Sequence, residues 1–427
     1  MNINNVSQKI ENNEFIDVFK KLYGENGEVL KAQKERYLDA VKSFAEIYPQ
    51  REDIKIFSAS GRTEIGGNHT DHQHGCVLAA AVNLDAVGVV SFHDEGVLRI
   101  KSKGYDAFEV CLDDLSVQPN EKGSPAIVRG MLAKFAELGV KVGGFDFYST
   151  SDVLGGSGIS SSAAFEILIG TIIDKHYNGG KAGAVEIAKF GQFAENVYFG
   201  KNSGLMDQMV SSVGGLVAID FNDTKNPEIK SFNYDFEENG YFLCITDTKG
   251  SHENLSPDYD AIRSEMEQVA AQFQKEYLRD VDENEFFEKL PELRKTCSDR
   301  ALVRASHFFG DNNRAQKEAL ALQNGDLQEF LRLVNESGDS SAQMLQNLYS
   351  LSQPTNQEIV LAIMVSKKIL GARGAVRVHG GGFAGTIQAF VPKDLADTYI
   401  NEMDRIFGEN SCLKLRIRSV GGTEVTE

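Results

Sequence analysis

Residues 155–164, Gly-Gly-Ser-Gly-Ile-Ser-Ser-Ser-Ala-Ala, run directly into the helical stretch FEILIGTIIDKHY, and no other feature restricts the chain as much. The glycines let backbone come close to a ligand. The helix that follows offers free amides and a partial positive charge at its first turn, so loop and helix together make a phosphate cradle. The serine hydroxyls can bond phosphate oxygens or a magnesium ion. The loop lacks the closing Gly-Lys-Ser/Thr of a Walker A sequence, and its spacing is not that of a dinucleotide fingerprint. A solvent-exposed turn with helix-capping serines accounts for the composition equally well. A short strand at 145–149 precedes the loop, so the unit reads strand, loop, helix.

The chain has 427 residues, too many for one ordinary core, and two large lobes are expected. Residues 1–50 carry helical patterns such as Phe15, Val18, Phe19 and Leu22 on one face. Residues 54–59 read as a strand, and Val77–Val90 as a strongly apolar run. The stretch after that run looks like a hairpin turning at Asp94-Glu95-Gly96. Helices are expected over 127–138, 182–198 and much of 257–370. Strands are expected at LVAIDF, on both sides of residues 380–385, and at LKLRIRSV. The fold class is therefore α+β with mixed sheets and packed helices, and a site between two lobes. The boundaries are drawn as a helical extension, 1–50, a first lobe, 51–215, and a second lobe, 216–427.

A formal net charge of −18 repels phosphate backbones and anionic membranes, which argues against nucleic acid and membrane partners. No run of eighteen apolar residues appears, and the polar amino terminus lacks a signal-peptide core, so the expected address is the cytoplasm. The five cysteines are odd in number and form no CxxC pair, as suits reduced thiols rather than disulfides or zinc.

Two further loops carry chemistry. Residues 61–75, GRTEIGGNHTDHQHG, set an Arg, imidazoles, amides and an Asp between glycines, which is an inventory for a polyhydroxyl ligand. A metal site using His69, Asp71, His72 and His74, or a plain polar surface loop, are the rival readings. Residues 378–385, VHGGGFAG, allow close approach of backbone to a ligand or to another loop, although a tight turn explains them nearly as well. Glu195 and Asp207 stand twelve positions apart. Kinases of small alcohols need one carboxylate at the hydroxyl and another near magnesium, whereas an acid chosen at random is more often a solvated charge or a cap.

Taken in order, these segments resemble the galactokinase branch of the GHMP kinases. GRTEIGGNHTDHQHGCVL resembles the family's sugar signature, GGSGISSSAA its phosphate loop, NSGLMDQ its CGxMDQ segment and VHGGGFAGTIQAFV its third motif. HENLSPDYDAIR and LVNESGDS add two weaker matches, so the likeness runs from about residue 50 to about residue 420. The resemblance implies ATP as phosphate donor, Mg2+ as its ion, and galactose as acceptor at its C1 hydroxyl. It implies that Asp207 takes or orients the proton of that hydroxyl and that Arg62 keeps Asp207 ionised. Gly155, Gly156, Ser157, Gly158, Ile159, Ser160, Ser161 and Ser162 match the ATP loop. Ser161, Ser162 and Glu195 match the metal-binding positions. Asn68, His69, Asp71, Gly204 and Tyr259 match the sugar-contacting positions. A monomer is expected.

Four departures stand out. Asn68 replaces the family's Glu, His72-Gln73-His74 replaces Tyr-Asn-x, Ser203 replaces Cys, and Gly338 replaces His. They keep alive a related kinase for galacturonate, N-acetylgalactosamine or arabinose. A non-catalytic sugar and ATP sensor is a third class, against which the full serine loop, Asp207 and Arg62 all speak. The stretch ahead of the signature is longer than the family's usual one and carries no functional reading.

Overall fold

The computed structural model describes residues 1–153, 159–201, 203–251 and 255–427. Three helices open the chain: α1 (Ile3–Glu11), α2 (Ile16–Tyr23) and α3 (Gly27–Ile47). Asn26 caps α3, its side chain accepting from the amides of Glu28 and Val29. The apolar faces of these helices, with Val6, Phe19, Tyr37 and Phe44, close on Ile56, Val89 and Tyr148 of a sheet. The alternate residues Phe57, Val90 and Phe147 point through the sheet into the main core. That period of two is what lets one sheet carry helices on both faces.

The first half continues with β1 (Lys55–Gly66), β2 (Cys76–Phe92), β3 (Val97–Ser102), β4 (Phe108–Cys111), α4 (Ser124–Glu137), β5 (Phe145–Ser151), α5 (Ser161–Tyr177), α6 (Gly183–Phe193), α7 (Met206–Val213), β6 (Leu216–Asp220) and β7 (Glu228–Phe232). The second half holds β8 (Tyr241–Asp247), α8 (Ser256–Ala271), α9 (Glu283–Glu288), α10 (Leu290–Leu293), α11 (Asp299–Gln323), α12 (Leu327–Ser340), α13 (Glu358–Leu370), β9 (Ala375–His379), β10 (Thr386–Pro392), α14 (Ala396–Phe407), β11 (Cys412–Leu415) and β12 (Thr423–Glu424).

The first sheet has the order β12-β1-β2-β5-β3-β4, with β6 on β2 and β7 on β6. Its pairs are antiparallel except β3 with β5. The second sheet, β11-β8-β10-β9, is antiparallel throughout. The long strand β2 serves two neighbours, β6 through residues 76–80 and β5 through residues 86–92. Helix α5 is apolar nearly all round, with Ile167, Leu168, Ile169, Ile172 and Ile173 buried, as a helix enclosed in the main core must be.

Two features differ from the sequence reading. The hairpin at Asp94-Glu95-Gly96 does not form, because β5 inserts between β2 and β3 and sets Phe145 and Phe147 against Leu98 and Ile100. An alternating strand specifies a buried face, not a neighbour, and a later strand with the same alternation satisfies it. The first sheet also runs past residue 215, since β6 and β7 extend it and β12 returns to it, pairing Phe57 with Glu424.

Candidate active site

Arg62 and Asp207 meet from positions 145 residues apart. Arg62 stands on β1 just after a register shift, and its amide donates to the Ile159 carbonyl at 3.0 Å. Asp207 lies in the first turn of α7. The guanidinium grips the carboxylate with both arms, Nε to Oδ1 at 2.7 Å and Nη2 to Oδ2 at 2.6 Å. Ser160 Oγ donates to Oδ2 at 2.8 Å. Burial by itself would raise the Asp207 pKa, but the Arg62 charge and the hydrogen bonds from Arg62 and Ser160 outweigh it and hold the carboxyl below its ordinary range. Asp207 is thus ionised at neutral pH, and its side chain keeps 30% of its surface open.

Ser160 takes a left-handed backbone, φ 59°, and leads into α5, whose first two residues are Ser161 and Ser162. Ile159 is fully buried. Gly155, Gly156, Ser157 and Gly158 lie outside the described residues. A cavity of about 520 Å³ opens beside the start of α5 and is lined by Ser161, Ser162 and Phe165, with Ala86, Tyr105 and Phe108 opposite. Tyr105 is a large aromatic of this lining that the sequence reading did not single out. The residue is 72% exposed, directly after the Gly104 turn. A large aromatic that a turn holds out in solvent is the signal that marks it.

Glu195 is buried at the start of the short π-helix 194–199 that ends α6. Its Oε1 meets Lys201 Nζ at 3.1 Å, and its Oε2 accepts from Gln208 Nε2 at 3.0 Å. The same Gln208 amide donates to Glu166 Oε2 at 3.0 Å. Glu166 lies one helical turn beyond Ser162 on α5 and therefore shares its face. Burial, then the Glu195 charge, pushes the Glu166 carboxyl well above its ordinary range, and its buried Oε1 has no hydrogen-bond partner among the described residues. Two buried acids with an oxygen to spare, beside helix-start serines, fit a hard divalent cation.

The sugar-signature loop is held from beneath. Asn68 is fully buried with its amide saturated. Its Nδ2 donates to Glu64 Oε1 and the Gly380 carbonyl, while its Oδ1 accepts from Ser341 Oγ and Asn347 Nδ2. Burial lifts Glu64 to about 7 in spite of Arg377 at 2.7 Å. Gly66 admits no side chain, since a Cβ there would lie 1.7 Å from Glu318 Oε2.

The three glycines 380–382 present successive carbonyls to this loop and its neighbour. Gly380 accepts from Asn68, Gly381 from His69 Nε2 at 2.9 Å, and Gly382 from the Tyr259 hydroxyl at 2.9 Å. Tyr259 lies so close over Gly381 that a Cβ there would come within 2.6 Å of its ring. A carbonyl only accepts, so His69 carries its proton on Nε2. Burial lowers its pKa and keeps the ring neutral, which leaves Nδ1 as an acceptor. Asp71, raised by burial, lies within electrostatic reach of Arg62 and Asp207, and Gly204 packs against its Oδ2.

The histidines do not converge on a metal. His74 stacks on Tyr277 with ring centroids 3.7 Å apart, and His69 and His72 meet edge to face at 5.5 Å. Among the described residues no group of three or more His, Cys, Asp or Glu side chains is arranged to hold an ion.

Comparison with known proteins places these elements. Residues 42–92 match the galactokinase galactose-binding signature, and residues 126–215 match the GHMP kinases N terminal domain. The chain is 31% identical over 372 residues to a galactokinase of Actinobacillus pleuropneumoniae serotype 5b (strain L20), covering 87% of this chain and 92% of that one. In fold it is similar to Lactococcus lactis galactokinase solved with galactose, at TM-score 0.76 and 23% identity over 90% of this chain and 98% of that one. The mevalonate kinase of Methanococcus jannaschii is a more distant likeness, at TM-score 0.61 and 15% identity, covering 86% and 98%.

Proposed function

The chain belongs to the galactokinase family of GHMP kinases, and from that premise we propose that it moves the γ-phosphate of ATP to the C1 hydroxyl of galactose. One observation carries the reading. Three consecutive serines join the two halves of the reaction: Ser161 and Ser162 line the 520 Å³ cavity, and Ser160 donates to Asp207. A base in that cavity, beside Tyr105, sends its phosphates along the start of α5 toward Asp207 and Arg62.

Asp207 Oδ1 accepts one bond from Arg62 and keeps a lone pair for the C1 hydroxyl. A loose phosphoryl-transfer transition state needs little early proton removal, so the carboxylate's first task is to aim the oxygen and hold its proton. Arg62 stabilises charge as the phosphoryl group passes. His69, through Nδ1, and Asp71, Gly204 and Tyr259 form the sugar side. Asn68, saturated by its neighbours, supports the loop that carries them. The exchange of Glu for Asn at this position thus alters an internal brace, and galactose is favoured over galacturonate, N-acetylgalactosamine or arabinose. ATP consumption across those four sugars tests the reading: galactose should be turned over far the best, and no ATP consumption with any of them would sink it.

Ser161, Ser162, Glu195 and the neighbouring Glu166 are the residues we assign to Mg2+. An ion held by them would neutralise phosphate charge. Glu195→Gln should raise the magnesium concentration for half-maximal rate about tenfold, read by titrating MgCl2 at saturating ATP and galactose. An unchanged requirement removes Glu195 from the metal set. The proposal places the enzyme in the cytoplasm as a monomer.

A further inference from the structure

We propose that Arg36, on α3 ahead of the family-matched residues, is a positioning residue for the nucleotide pocket and acts on ATP rather than on sugar. This rests on the pocket assignment above. One guanidinium spans the end of β5 and the middle of β2. Its Nη1 donates to Asp85 Oδ1 at 2.7 Å and meets Asp152 Oδ2 at 2.9 Å. Its Nη2 donates to the Asp85 carbonyl at 2.8 Å and the Thr150 carbonyl at 3.5 Å. Gln33, one turn earlier on α3, adds a bond to Asp152 Oδ2 at 3.3 Å. The Asp152 amide closes the junction on the Asp85 carbonyl at 3.0 Å.

The residues beside this clamp form the pocket wall. Ala86 follows Asp85, and Ser151 and Val153 flank Asp152; all three line the 520 Å³ cavity. Asp85 is itself immobile, fully buried and also bound by Arg418 and Tyr23. Arg36 thus transmits a fixed point to the last residues of β5. A planar fork can satisfy two carboxylates and a carbonyl together, which a lysine cannot. His69 and Tyr259 hang instead from the Gly381 and Gly382 carbonyls, so the sugar side has separate supports.

Arg36→Lys and Asp152→Ala test the proposal. The Asp152 side chain is 38% exposed, so its truncation leaves the buried Asp85 contacts in place. Each variant should raise the KM for ATP about tenfold, with the KM for galactose changing less than about twofold. The double variant should be no worse than Arg36→Lys alone, because that substitution already removes the Asp152 link. An unchanged ATP KM, an equal rise for galactose, or additive effects would overturn the role. ATP titration of the wild-type protein separates this from failure of the parent reading, since a wild type that takes no ATP defeats the pocket assignment. Hydrogen exchange without nucleotide still decides the clamp in that case. Amides of residues 145–153 should exchange about tenfold faster in Asp152→Ala, and wild-type rates there would overturn it.

Discussion

Asp207→Asn should lower kcat about a thousandfold while galactose still binds with near wild-type affinity. The substitution is almost isosteric, so the proposed sugar side, with His69, Asp71 and Tyr259, keeps its shape. It removes the charge that Arg62 grips at 2.6 and 2.7 Å and replaces the acceptor we propose for the C1 hydroxyl with a neutral amide. Steady-state assay and galactose titration on the same preparation are the measurements. A variant retaining a tenth of wild-type kcat would show that the carboxylate is not central. Because Asp207 is held below its ordinary range, its ionisation sets no acid limb for the wild type above about pH 5. The stability it contributes is complete above the unfolded carboxylate value and is lost as pH falls through the lower folded one.

Asp85→Ala carries the largest expected loss of stability, about 3–5 kcal/mol. Asp85 is wholly buried and gathers Arg36 at 2.7 Å, Arg418 at 3.1 Å, Tyr23 at 2.6 Å and the Ser58 hydroxyl. Burial opposes its charge, but Arg36, then Arg418, then the Ser58 and Tyr23 hydroxyls hold its pKa below the ordinary range. Truncation leaves the fully buried Arg418 charge with only Ser58 Oγ and backbone carbonyls as hydrogen-bond partners among the described residues. A loss of that size is a large fraction of a typical domain's stability, so the midpoint of urea unfolding should fall clearly. Asp85→Asn, which keeps a neutral acceptor, should recover part of it. A midpoint unchanged in Asp85→Ala would mean that the cluster contributes nothing net. The sign with pH matches that of Asp207: this stabilisation survives neutral and mildly acid conditions and disappears as the depressed carboxyl finally takes a proton.

The two predictions differ in how far the sequence announces them. Asp207, Arg62 and the serines sit in motifs whose residue types the chemistry demands, and those motifs survive being far apart in the chain. Asp85 sits in an apolar run, NLDAVGVV, where nothing local says that two cations and a hydroxyl, from residues 36, 418 and 23, converge on it. The same limit explains the strand order. The alternation of β3 is legible, but its neighbour comes from some fifty residues later, at β5. Asn68 is legible as a motif position. Its saturation by Glu64, Gly380, Ser341 and Asn347 is not, because three of those four partners lie more than 270 residues away. The aromatic edge of the cavity beside α5 is missed for a different reason: Tyr105 lies in a turn, outside every periodic pattern.

The pairing of Phe57 with Glu424 also bears on how a ribosome delivers this protein. The outer edge of β1 emerges early and waits for a partner some 367 residues downstream, 424 minus 57. At translation rates of about 5–20 residues per second, that delay is on the order of tens of seconds. Throughout it an unpaired strand edge faces solvent, which is the kind of surface that invites intermolecular pairing. Demand for chaperones during synthesis should therefore fall on the amino-terminal half, and it should end only when β12 has left the exit tunnel.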